Sequence, residues 1–122
     1  MAKILVVDDQ DDLRTMMLKA LEGEGHQTIE ADNGLSALTL AKNYRPDLII
    51  SDVVMDSGSG FMLGEWLRDD PDTTEIPLIL ITGLAKEAGA WKSDPSVVYI
   101  TKPFGIRELV STVTRTLTPK AK

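Results

Sequence analysis

Four apolar runs of this chain end in residues that can do chemistry. Ile4-Leu5-Val6-Val7 leads into Asp8-Asp9, and Leu48-Ile49-Ile50-Ser51 leads into Asp52. Leu78-Ile79-Leu80-Ile81 leads into Thr82-Gly83, and Val97-Val98-Tyr99-Ile100 leads into Thr101-Lys102-Pro103. If these ends meet, three carboxylates share one crevice, where they repel one another and push at least one pKa upward. A divalent cation removes the conflict. Mg²⁺ takes oxygen ligands at about 2.0 to 2.1 Å, prefers an octahedron and keeps several waters, so two or three carboxylates and a backbone carbonyl are enough. Lys102 then completes the neutralisation. A carboxylate so placed can act as a nucleophile and become an acyl phosphate, in a reaction where positioning and charge neutralisation do most of the catalysis. Were Asp52 to take the phosphoryl group, its charge would pass from minus one to about minus two. Lys102 and the Thr82 hydroxyl are the groups able to bind the excess. Contacts that exist only in the modified state shift a two-state equilibrium, so the modification would be a switch.

The elements that must position these residues follow from apolar spacing. Lys3 to Val7 reads as a first strand, and Asp8-Asp9-Gln10-Asp11-Asp12 opens a helix through Glu24. Leu13, Met16, Met17, Ala20 and Leu21 fall on one stripe, which makes both methionines core residues. Gly23 and Gly25 end that helix, and Thr28 to Ala31 is a second strand, less apolar and therefore nearer an edge. Asp32 or Asn33 caps a second helix with Leu35, Leu38 and Ala41 facing inward, stopped by Pro46. Asp47 to Asp52 is a central strand, apolar enough to be buried on both faces. A helix from about Gly60 to Arg68 carries Phe61, Leu63, Gly64 and Leu67, with Trp66 half-buried. After the strands ending at Thr82 and Ile100, a last helix presents Ile106, Leu109, Val110, Val113 and Leu117, and the tail beyond it frays. Gly89 and Asp94-Pro95 break any helix between Leu84 and Ser96 into a short one. Strands alternating with helices imply a parallel sheet with helices on both faces. Ligands of such sheets bind beyond the carboxyl ends of the strands, where strand order reverses. Asp8, Asp9, Asp52, Thr82 and Lys102 all lie at such ends.

The chain has 122 residues, within the range of one domain, with 43% hydrophobic and 26% charged residues. It contains no Cys, which excludes disulfides and thiolate chemistry, and its single His, His26, sits in a turn as a solvated residue, which argues against zinc. A formal charge of -6 argues against a nucleic-acid surface. No run approaches the roughly 20 apolar residues of a membrane span, and Met1 leads straight into a strand instead of a signal peptide, so a cytoplasmic location is expected. The glycines at 58, 60 and 64 miss the dinucleotide-binding spacing, and no Gly-Lys-Ser or Gly-Lys-Thr phosphate loop is present.

Together, Val7-Asp8-Asp9, Asp52-Val53-Val54-Met55 followed by Gly60, Thr82-Gly83 and Lys102-Pro103-Phe104 resemble the receiver domains of two-component response regulators. The resemblance runs from Lys3 to about Leu117 and is to the single-domain kind typified by the chemotaxis regulator. It implies a flavodoxin-like three-layer α/β sandwich with a five-stranded parallel sheet of order 2-1-3-4-5. It implies one receiver domain over residues 1-122, with a core of about 3-117 and a short tail. Asp52 would accept the phosphoryl group from a histidine kinase or a histidine phosphotransfer protein, with Mg²⁺ held by Asp8, Asp9, Asp52 and the backbone carbonyl of Val54. Thr82 and Lys102 would bind the phosphoryl group, Tyr99 would move inward with Thr82, and Lys102-Pro103 would be a cis peptide. Output would pass to a downstream protein target, with neither nucleic acid nor membrane as partner.

The chain departs from the family pattern at Asp56, where proline is usual and where Asp56 and Ser57 can instead cap the next helix, and in the broken 84-96 segment. A Mg²⁺-dependent small-molecule phosphohydrolase is the competing enzyme reading, disfavoured because the loops are too short to enclose a substrate. A phosphorylation-independent scaffold is the competing binding reading. Taken singly, Asp8, Asp9, Asp11 and Asp12 would be helix N-terminal acids, worth about 0.3 to 1 kcal/mol each; for Asp11 and Asp12 that reading stands. Val54 and Leu84 occupy the two positions that in the family tune access of the hydrolytic water. Two apolar side chains there cannot hold that water, so polar replacements at both are expected to speed dephosphorylation, and an unchanged decay of the acyl phosphate would refute this.

Overall fold

The computed structural model describes residues 2–53, 60–83 and 97–117. The turn at Ser57-Gly58-Ser59, the Leu84 to Ser96 segment and the tail after Leu117 lie outside them, as do Val54 and Asp56. In chain order the elements are β1 (Lys3–Val7), α1 (Asp11–Gly23), β2 (Gln27–Ala31), α2 (Gly34–Tyr44), β3 (Leu48–Asp52), α3 (Gly60–Asp69), β4 (Leu78–Thr82), β5 (Val97–Thr101) and α4 (Ile106–Leu117). The five strands are all parallel, in the order β2-β1-β3-β4-β5, with helices on both faces, the expected flavodoxin-like sandwich. β3 and β4 are buried along their whole length, as apolar runs sandwiched between two helical layers must be. β2 is buried only at Ala31 and lies at the edge.

Because successive side chains point to opposite faces, β1, β3, β4 and β5 each feed two cores, while β2 contributes Ile29 and Ala31 to one. One face gathers Leu5, Val7, Ile49, Leu78, Leu80 and Val97 under Ala37 and Ala41 of α2 and Leu63 and Leu67 of α3. The other gathers Ile4, Val6, Leu48, Ile50, Ile79, Ile81 and Ile100 under Met17 and Leu21 of α1 and Leu109 and Val113 of α4. Trp66 is half-buried against the first core, as its helical spacing suggests. Asn33, not Asp32, caps α2: its side-chain oxygen accepts from the Ser36 N–H at 2.8 Å. Arg45, in the left-handed region at φ 48°, closes that helix before Pro46. Thr73 is buried in the loop after α3, and its hydroxyl donates to the Leu67 carbonyl at 2.7 Å, satisfying a helix-terminal acceptor. Among the described residues no helix is long and apolar enough to cross a membrane.

Four sequence expectations about the helices are corrected. α1 begins at Asp11, so Asp8 and Asp9 precede the helix and are not part of its first turn. Met17 is fully buried but Met16 is 36% exposed, because the stripe is centred on Leu13, Met17 and Leu21, with Leu18 on one flank and Met16 turned out on the other. Leu35 is 59% exposed, because α2 turns Ala37 and Ala41 to the sheet, with Leu38 and Leu40 on their flanks, and Leu35, two residues before Ala37, lies on nearly the opposite side of the helix. Ile106, at the start of α4, is likewise exposed. Met17→Ala is expected to cost about 2 to 5 kcal/mol in urea unfolding, and Met16→Ala no more than about 0.5 kcal/mol; equal losses would refute this division.

Candidate functional site

The alternation that builds the two cores also sorts the polar strand ends. Continued one residue past β1 and β5, it puts Asp8 in line with Ile4 and Val6, and Lys102 in line with Val98 and Ile100. Asp52 follows Leu48 and Ile50 on the same side. The hydrogen-bond ladder extends far enough to hold these positions. Asp8 N–H donates to the Ala31 carbonyl at 3.1 Å, Val53 N–H to that of Ile81 at 2.9 Å, and Lys102 N–H to that of Thr82 at 2.8 Å.

The side chains converge as a result. One carboxylate oxygen from each of Asp8, Asp9 and Asp52 lies within 4.8 Å of the others. Lys102 Nζ sits 2.9 Å from Asp52 Oδ2, a pair in which the carboxylate is almost wholly buried and the lysine only partly exposed. Asp8 Oδ1 accepts from the Gln10 N–H at 2.8 Å, while its Oδ2, buried, has no hydrogen-bond partner among the described residues. Burial holds the Asp8 carboxyl above its ordinary range. The charges of Asp52 and Asp9 push the same way, against the Gln10 N–H and Lys102. A buried, unpartnered oxygen beside two further carboxylates is costly unless something positive fills the gap. The donor set is all oxygen and matches a hard divalent cation.

Around this cluster the backbone is closely fitted. A Cβ on Gly60 would stand 2.6 Å from the Asp52 carbonyl oxygen and 3.1 Å from the Val53 Cα, so only glycine lets α3 start against the end of β3. Gly60 N–H also donates to the Val53 carbonyl at 2.9 Å. The buried Ser51 hydroxyl donates to the Asp52 carbonyl at 3.0 Å. Thr82, the last residue of β4 and fully buried, follows Leu78 and Leu80 toward the face of α2 and α3. Tyr99, opposite Leu80 in the ladder, shares that face and packs half-buried against its core. Thr82 and Tyr99 are thus near neighbours, and the Lys102-Pro103 peptide is cis. Asp8, Asp9, Asp52, Thr82 and Lys102 lie at this rim and Tyr99 further back along β5, while Val54, Leu84 and Asp56 lie outside the described residues. His26 does not remain simply solvated: half-buried at the opposite pole, its Nδ1 accepts from the Ala2 N–H at 3.1 Å.

Arg14 is the residue that sequence reasoning passed over. Its guanidinium reaches the main-chain oxygen of Asp8 at 2.7 Å, Asp11 at 2.7 Å and Glu30 at 2.8 Å. The i,i+3 spacing from Asp11 was a visible signal. The contacts to Asp8 and Glu30 depend on how β1, β2 and α1 meet.

The model of the family described as "Response regulator receiver domain" matches residues 4–114. Protein PilH of Pseudomonas aeruginosa is 34% identical over 119 residues, spanning 96% of this chain and 98% of PilH. The polar-differentiation response regulator DivK of Brucella anthropi is 31% identical over 112 residues, spanning 90% of this chain and 91% of DivK. The structure of the chemotaxis response regulator CheY4 of Vibrio cholerae superposes with a TM-score of 0.89 at 31% identity, over 96% of this chain and 99% of that one.

Two outcomes follow from the geometry. Asp8 binds a proton more tightly folded than unfolded, so its contribution to stability is full below the unfolded value of 3.8 and is lost as pH rises through the higher folded value. Asp8→Asn, which keeps the oxygen that accepts from Gln10, should therefore raise the melting temperature in chelator at pH 7, with the gain shrinking as pH falls toward 4. A gain that is constant across that range would count against the buried carboxyl. Gly60→Ala is expected to cost on the order of 1 to 3 kcal/mol by overpacking; unfolding in denaturant reads this, and a neutral result would contradict the close approach.

Proposed function

The chain belongs to the response regulator receiver domain family, and on that premise we propose that Asp52 is its phosphoacceptor and residues 1-122 one receiver domain. The donor is the phosphohistidine of a histidine kinase or a histidine phosphotransfer protein. A carboxylate oxygen of Asp52 forms a bond to phosphorus as the phosphorus–nitrogen bond breaks. The electron pair leaves to the imidazole, and Asp52 becomes an acyl phosphate. The observation that carries the reading is the convergence of the Asp8, Asp9 and Asp52 oxygens within 4.8 Å, with Lys102 Nζ 2.9 Å from the Asp52 carboxylate. A cluster of that composition can tolerate a further anionic group only with added positive charge.

Asp8, Asp9 and Asp52, with the Val54 carbonyl, are the groups that would hold Mg²⁺. When bound, the ion neutralises the phosphoryl oxygens as the transfer proceeds. Lys102 is already seated against the reacting carboxylate and binds the phosphoryl group that replaces its charge. Thr82 supplies a hydroxyl at the neighbouring strand end. Drawing that hydroxyl toward the phosphoryl group opens space on the face it shares with Tyr99, so Tyr99 moves inward and the partner-binding face changes with it. The domain catalyses its own phosphorylation and dephosphorylation, acts in the cytoplasm, and passes its signal to a protein target and not to nucleic acid, in keeping with its formal charge of -6.

Incubation with Mg²⁺ and a small acyl-phosphate donor, read by intact-protein mass spectrometry, tests this. The wild type should gain one phosphoryl group that hydroxylamine removes and that chelator prevents. Asp52→Asn should gain none, and labelling of that variant to the wild-type level would overturn the assignment.

A further inference from the structure

Arg14 takes no part in the phosphoacceptor chemistry above, yet it makes three bonds in three directions at the same rim. Nη1 donates to the main-chain oxygen of Asp8 at 2.7 Å, Nη2 to Asp11 Oδ1 at 2.7 Å, and Nε to Glu30 Oε1 at 2.8 Å. Its side chain is only 13% exposed, whereas the two carboxylates it binds are 82% and 57% exposed. The cation is tucked in and its acids lie outside it. An exposed pair alone would contribute little, so the contact that matters is the one facing inward, to Asp8.

The oxygen Arg14 holds belongs to the peptide that joins Asp8 to Asp9. That unit is planar, so fixing its oxygen fixes the plane, and with it the directions in which both residues leave the chain. The rest of Asp8 is also committed: its N–H to the Ala31 carbonyl at 3.1 Å and its Oδ1 to the Gln10 N–H at 2.8 Å. The atom left over is Oδ2, buried and without a hydrogen-bond partner among the described residues. Carboxylates that repel would otherwise relieve the strain by turning the peptide and swinging outward. Glu30 anchors the other end of the clamp on β2, next to Ala31, which receives the Asp8 N–H.

We propose that Arg14 is the positioning residue of the acidic pair, holding the Asp8–Asp9 peptide plane so that both carboxylates face one cation. The inference rests on the metal-holding part of the function proposed above. It requires the fork of a guanidinium, because three acceptors in divergent directions cannot be spanned by the single ammonium of lysine.

Calorimetric titration of the full chain with Mg²⁺ alone, without phosphoryl donor, tests it at a temperature where circular dichroism shows every variant folded. Groups that orient metal ligands typically change affinity by about 10- to 100-fold when removed. Arg14→Met is therefore expected to weaken Mg²⁺ binding by at least about tenfold. Arg14→Lys, which keeps the charge, should fail to restore it. Lys42→Met removes a comparable 2.9 Å ion pair with Asp70, away from the rim, and should leave the affinity unchanged. Wild-type affinity in Arg14→Met, or full rescue by Arg14→Lys, overturns the proposal, as does a Lys42→Met variant that weakens binding as much. If Arg14→Met does not fold, Arg14→Lys alone decides. A wild-type chain that takes up no Mg²⁺ overturns the proposal too. Phosphorylation of Asp52→Asn, by contrast, would refute the phosphoacceptor assignment and leave the Arg14 result standing.

Discussion

Three carboxylates are held together at one rim of the sheet against their own repulsion, and the rest of the local architecture answers to that. Two like charges about 4 Å apart repel by roughly 4 kcal/mol at the effective dielectric of a protein surface. That is comparable with the whole stability of a small domain, about 5 to 15 kcal/mol. Lys102 against Asp52 offsets part of it, and the rest is borne by backbone that cannot give way. The ladder runs one residue past the strands at Asp8, Val53 and Lys102. Gly60 lets α3 close on the Asp52 carbonyl, and Arg14 grips the peptide between the two leading acids. A site that stores repulsion in this way is poised to respond when a cation or a phosphoryl group alters the charge.

The sheet divides the work between its two faces. Asp8, Asp52 and Lys102 continue the side covered by α1 and α4, while Thr82 and Tyr99 continue the side covered by α2 and α3. Thr82 joins them: its carbonyl receives the Lys102 N–H, and its side chain lies on the face of Tyr99. In the phosphoacceptor reading a charge change at Asp52 therefore reaches the second face through one residue at the end of β4. β3 and β4, buried throughout, form a stiff base for both. Close-packed interiors of this kind favour discrete alternative arrangements over gradual deformation.

Much of this was legible in the chain itself. Apolar runs of four or five residues separated by helical stripes specify a parallel sheet, and polar residues at the ends of four such runs specify where a site would lie. Asp8, Asp9, Asp52, Thr82 and Lys102 could be named because strand ends are visible in composition, and the family resemblance supplied the strand order and Tyr99. That Asp8, Asp52 and Lys102 fall on one side follows from the register in which the strands pair.

What tertiary structure alone decided are the contacts between elements distant in sequence. Met16 and Leu35 lie on apolar stripes but face solvent, because each helix is turned so that other residues meet the sheet, Met17 and Leu21 in α1, Ala37 and Ala41 in α2. His26 takes the Ala2 N–H because β1 and β2 pair from their first residues, which no local pattern encodes. Gly60 must be glycine because of where the Asp52 carbonyl stands, and Arg14 bonds Asp8 and Glu30 because β1, β2 and α1 meet beside it. Periodicity reports which face of an element is apolar, since that is a property of the element. Distances between elements are a property of the assembled chain, and these set both the burial of the Asp8 carboxylate and the grip on its peptide.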